Sequence, residues 1–173
     1  MLLYVFIFTV NVAINKPAYQ QYPVRGEERY EAGKAVDGRK SDLSSWGGQC
    51  AASESYKRTA TWWVNLISIH SIHHITIYFL TSNKQWGPSN WRTKYYLGFS
   101  VYVSNTADKL QGTLCYKDNN FTLDTIPAVF TTTCPVHGQY VIYYNERLPG
   151  VTYPDEYSDY VTSNLCEVEV YGE

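Results

Sequence analysis

Thr61-Trp62-Trp63-Val64-Asn65-Leu66 decides the fold. Large apolar groups alternate there with polar ones in a run too short for a helix, so it reads as a strand pinning a sheet to a core. The segment it closes opens at Ala35-Val36-Asp37-Gly38, where Asp-Gly is turn chemistry: Gly accepts a positive φ and Asp bonds its own backbone. Between them lies a polar, Gly-containing loop with one cysteine, Cys50. A loop anchored in this way can hold backbone carbonyls and a carboxylate in place, which is what a hard cation such as calcium requires.

Working outward, other short strands appear between turn-rich loops. Residues 72–79 put Ile75, Ile77 and Phe79 on one face, residues 95–104 alternate through Phe99, Val101 and Val103, and residues 166–171 alternate cleanly. Residues 129–133 and 140–144 read as two strands joined across Pro135 and Gly138, and residues 67–71 read as a turn. Residues 19–34 are polar loop with a helical turn near 27–32. Further loops cover 81–93, with exposed Trp86 and Trp91, then 118–127 and the tyrosine-bearing 145–164. No segment has sustained helical periodicity and none repeats. The pattern is that of an all-β sandwich.

At 173 residues the chain fits one domain, here residues 11–173. A net charge of −2 gives no reason to expect nucleic acid as a partner. The 17 Tyr and 5 Trp suit strands and cross-strand pairs; a carbohydrate or protein contact surface is the functional alternative. Residues 1–10 are apolar, too short to span a bilayer, and resemble the core of a signal peptide, without a basic start or a small-residue cleavage site. Any membrane association would come through parts of a longer chain.

The four cysteines, Cys50, Cys115, Cys134 and Cys166, are widely spaced and contain no Cys-x-x-Cys pair, which argues for two disulfides in an oxidising compartment over a zinc site. Spacing leaves three pairings open. Asn120-Phe121-Thr122 is a glycosylation sequon. His70, His73 and His74 cannot converge on a metal from a regular strand: neighbours point to opposite faces, and His70 would lie about 13 Å from His74. They read as surface or cross-strand residues. No nucleophile elbow, His-Glu-x-x-His or phosphate-cradling glycine loop occurs, so no enzyme is indicated.

Four pieces in order then resemble the F-type lectins (fucolectins): residues 11–18, Ala35-Val36-Asp37-Gly38, Trp62-Trp63-Val64-Asn65-Leu66 and residues 165–170. More broadly they are similar to the galactose-binding-like jelly-roll β-sandwiches that include discoidin and coagulation-factor type C domains. The long, tyrosine-bearing form resembles the N-terminal domain of molluscan surface proteins that continue into EGF-like repeats, which would make this chain a fragment or a stand-alone paralogue. The family's matching cysteines, with their positions here, imply the pairs Cys50–Cys166 and Cys115–Cys134.

The resemblance implies a structural calcium. Asp37 and Glu167 match its side-chain ligands, Lys34, Arg39 and Cys166 match positions that ligate through backbone carbonyls, and Gln49 stands where the family often has Ser. It also implies a fucose site of one His and two Arg, and here the match fails. Ala52 occupies the His position, Leu80 falls near the first Arg, and Thr81-Ser82-Asn83 replaces an adjacent cysteine pair. Lys84, Trp86, Trp91 and Arg92 are left to build a different ligand site in the same loop.

The expected molecule is therefore a secreted or cell-surface, calcium-stabilised module that recognises glycans or glycoproteins. Its alternative is a non-lectin adhesion or receptor domain that binds a protein partner. A discoidin-like lipid binder would expose apolar spikes at a loop tip, for which only Trp86 and Trp91 qualify.

Overall fold

The computed structural model describes residues 8–173. The signal-like reading of residues 1–10 rests mainly on residues outside that range. The described residues form seven antiparallel strands: β1 (Val10–Asn11), β2 (Ala18–Gln20), β3 (Thr59–Phe79), β4 (Ser100–Ser104), β5 (Thr113–Lys117), β6 (Val129–Glu146) and β7 (Leu165–Gly172). Their order is β1-β7-β3-β6-β4-β5, with β2 also paired to β3.

Two long strands turn this one hydrogen-bonded sheet into a sandwich. The first part of β3 lies between β2 and the end of β6, with Trp63 opposite both Tyr19 and Ile142. Its second part lies between β7 and the start of β6, with Ile77 opposite both Val168 and Phe130. The β3–β6 register shifts between Asn65 and His70 and again between Ile72 and His74. Irregularities of this kind bend a strand and change which residues face inward. Even-numbered Trp62, Val64 and Leu66 are buried in the first part, odd-numbered Ile75, Ile77 and Phe79 in the second. Both sets enter one apolar core with Val101, Val103, Val141, Val168 and Val170.

Both features read from sequence as turns are these bends. Ile67 has φ 75° and its N–H donates to the Asn65 side-chain oxygen, yet the ladder resumes at His70 opposite Gly138. Pro135 falls where the ladder skips from Val136 to Thr133, the irregular place that a residue without an N–H tolerates. Neither stretch reverses the chain, because the flanking alternation is strong enough to pair on both sides of the break.

Residues 95–104 yield only β4, since Thr93–Tyr95 is a 3-10 turn and Gly98 has φ 85°. β2 and β5 are additional strands, both short and the second largely exposed, with little alternation to mark them. The helical turn near 27–32 is present as 3-10 segments Glu28–Tyr30 and Ala32–Val36. Trp62 is fully buried, and its indole N–H donates to the Ala32 carbonyl at 3.1 Å, tying that turn to the central strand.

Candidate functional site

The structure pairs Cys50 with Cys166 and Cys115 with Cys134. The first bridge fastens the loop after the 3-10 turn to β7. Beside it, Asp37 caps that turn, accepting the Arg39 N–H, and Gly38, at φ 78°, donates its N–H to Glu167 Oε1 at 3.1 Å. Glu167 is 1% exposed, and its Oε2 is buried without a hydrogen-bond partner. Burial, with the Asp37 carboxylate acting in the same direction, raises its carboxyl to about 8.

A buried, unpartnered carboxylate oxygen facing a second carboxylate is a setting that a cation would relieve. Asp37 and Glu167 could hold a calcium together with backbone carbonyls of Lys34, Arg39 and Cys166. Gln49 fits less well: its Oε1 already accepts the Ser41 and Asp42 N–H groups. Among the described residues no three His, Cys, Asp or Glu side chains cluster as metal ligands, so carbonyl oxygens would have to complete the shell.

A cleft of about 220 Å³ opens between the chain after Cys50, the 81–95 loop and residues 162–164. Ser55, Tyr56, Trp91, Arg92, Tyr96 and Asn164 line it. Its floor is fixed: the Tyr96 hydroxyl donates to the Asn164 carbonyl, and Asn164 Oδ1 accepts the Ser53 N–H. Trp91 is 57% exposed, with the Arg92 guanidinium 4.3 Å from its ring centre. Arg92 Nε donates to Ser82 Oγ at 2.6 Å.

The four ligand-site residues expected from sequence thus separate. Trp91 and Arg92 meet in the cleft, while Lys84 is exposed outside its lining. Trp86, expected as an exposed ring, is instead half-buried against the core, stacked on Phe79 with its N–H donating to the Ile126 carbonyl. Ala52 and Leu80 are buried and do not line the cleft; Leu80 packs on the Cys50–Cys166 bridge. Ser55, Tyr56 and Asn164 escaped the sequence reading because they come from segments distant along the chain, with no spacing to connect them.

His73 and His74 do not point to opposite faces. The irregularity between Ile72 and His74 brings their Nδ1 atoms to 2.8 Å, and His74 stacks on Tyr171. Burial and the neighbouring His73 lower the His74 pKa. His70 stands apart, hydrogen-bonded to Ser68.

A second, more polar cleft of about 390 Å³ runs along the tyrosine-bearing loop. Arg147 is its strut, 2% exposed, donating to the Ser158, Glu146 and Leu97 carbonyls and to Asn145 Oδ1. Tyr153 and Tyr157 stack beside it.

No protein-family model matches the chain, and no curated protein matches it in sequence. Solved structures do. A fucose-binding module from Streptococcus pneumoniae superposes with a TM-score of 0.68 at 18% identity, over 95% of this chain and 96% of the module. A fucolectin from striped bass (Morone saxatilis) serum gives 0.69 at 23% identity, over 96% of this chain and 50% of the lectin. Chitosan-binding module 1 of a chitosanase/glucanase from Paenibacillus sp. IK-5 gives 0.62 at 19% identity, over 94% and 99%. The fold is the galactose-binding-like β-sandwich.

Proposed function

We propose that this chain is an extracellular, non-catalytic glycan-binding module whose ligand enters the cleft of Tyr56, Trp91 and Arg92. The observation that carries the reading is that cleft itself: a rigid floor, one half-exposed indole, hydroxyls and a guanidinium, set among loops of a sandwich. Aromatic faces with planar donors suit saccharides, which present apolar C–H faces and hydroxyls together. Similar structures described as binding fucose and chitosan support a sugar as the ligand class. The two disulfides favour an oxidising, extracellular setting. No helix among the described residues is long and apolar enough to cross a membrane.

Calcium belongs to this proposal as a structural ion. Asp37 and Glu167 would supply its charge and the backbone carbonyls of Lys34, Arg39 and Cys166 its remaining oxygens. Bound there, it would fix the loop that carries Cys50 toward the cleft.

A glycan array run with calcium and with chelator tests the whole reading. Specific glycan binding that weakens with chelator is expected; an array without signal in calcium would reject the lectin function. A protein-binding adhesion domain is the second reading, favoured by Ile67 and Ile69, both more than half exposed at the bend of β3.

A further inference from the structure

Resting on the reading of the Trp91–Arg92 cleft as a glycan site, we propose that this cleft selects saccharides bearing an anionic group, a carboxylate or a sulfate.

Arg92 is held from three sides. Ser82 Oγ holds its Nε, Trp91 backs its plane, and Asn90 Oδ1 accepts its backbone N–H. The loop beneath is itself braced, Asn90 Nδ2 donating to the Thr81 carbonyl and Thr93 Oγ1 to the Gly87 carbonyl. The guanidinium is therefore oriented before any ligand arrives. Among the described residues no acceptor meets its two terminal nitrogens, and no Asp or Glu lines the cleft. The nearby Glu54 is taken by Lys57 at 3.3 Å. Lys94 adds a second positive charge beside the lining residue Tyr95. A chain of net charge −2 thus presents a locally positive, carboxylate-free site.

The ring that would otherwise stack a neutral sugar is partly spent. One face of Trp91 carries the guanidinium, and Tyr95 meets the indole edge-on. What the cleft offers most openly is a planar fork of charged N–H donors. Two parallel N–H groups match the two oxygens of a carboxylate or sulfate, and such charge-assisted pairs exceed hydrogen bonds to neutral hydroxyls. A neutral sugar would satisfy those donors singly and leave the charge unbalanced. Ser55 and Tyr56 hydroxyls remain for the ring substituents.

Calorimetry tests this with paired oligosaccharides, glucuronic-acid-terminated against glucose-terminated and sulfated-galactose-terminated against plain galactose-terminated. Either acidic ligand, or both, should bind on the order of tenfold tighter than its neutral partner at low ionic strength. That margin should shrink as salt screens it. Arg92→Gln should abolish the margin and Arg92→Lys keep part of it, while Lys84→Gln, outside the cleft, leaves it intact; unchanged melting curves would establish that each variant folds. Neutral ligands binding as tightly as acidic ones, equally weakened by Arg92→Gln, would overturn the anion selectivity and leave the glycan reading standing. Absence of binding by any of the four ligands in the wild-type protein would overturn both.

Discussion

At the scale of single residues, Glu167 is the described carboxyl that burial holds away from its charged form. Its Oε2 is buried without a partner, and its carboxyl titrates near 8 in the fold against an ordinary value of 4.5. A carboxyl raised by folding contributes stability that is full below its unfolded pKa and is lost as pH climbs through its folded one. Calcium-free protein should therefore melt progressively lower between pH 4.5 and about 8, by roughly 5–10 °C. Calcium requires the ionised form, so added calcium should recover more of the melting temperature at pH 8 than at pH 5. Glu167→Gln should flatten the pH trend and remove the calcium response, and Asp37→Ala, which also loses the turn cap, should lower the melting temperature more with calcium than with chelator. Differential scanning calorimetry with chelator and with calcium reads all of these; a wild-type curve indifferent to chelator at pH 8 would remove the ion from the proposal.

Among the elements, β3 and β6 decide the architecture, and they show where sequence is legible. Alternation at Trp62, Val64 and Leu66 and at Ile75, Ile77 and Phe79 marks two core faces correctly, because each side chain reports its own burial. What joins those faces is not written in hydrophobicity. Asn65 and Ile67 carry real turn chemistry, but a turn and a strand-bending irregularity use the same local conformations, and only pairing with a distant strand separates them. The neighbouring imidazoles of His73 and His74 follow from the same irregularity. The disulfide-tethered corner of Asp37 and Glu167 was readable through Asp-Gly and the ordered cysteines, whereas the cleft adds to Trp91 and Arg92 residues from segments too far apart for any spacing to reveal. Gly138 illustrates the distant pairing: a Cβ there would run into Val103 of β4, with the Ser104 carbonyl close behind. Gly138→Ala should lower stability by about 1–3 kcal/mol through this overpacking. A urea midpoint unchanged from wild type would show that β4 yields at no cost.

For the whole molecule, the Cys50–Cys166 bridge spans 116 residues and joins the loop beside Asp37 to β7, next to Glu167. Replacing both cysteines by Ala should cost about 2–5 kcal/mol and weaken calcium binding with it, since the loop carrying Asp37 and Gln49 loses its tether. Calcium titration of that variant at a temperature where it remains folded checks the coupling, and an unaltered affinity would separate the two. The same frame explains why fucose should not bind here as it does in the fucolectin arrangement. The resemblance puts Ala52 at one of the three donor positions and Leu80 near a second, and both are packed inside, Leu80 against the bridge itself. Each hydrogen bond a buried hydroxyl fails to make costs about 1–3 kcal/mol, more when the missing donor is charged. Losing two such donors from a single-sugar site, for which every 1.4 kcal/mol is roughly tenfold in affinity, removes useful binding altogether. Arg92 alone cannot replace both, because it is one guanidinium where two donor groups are missing and Ser82 fixes its Nε in place. Titration of free fucose at millimolar concentration should give no saturable heat; a clear isotherm abolished by Arg92→Ala would mean that the neutral-sugar site has moved onto this loop.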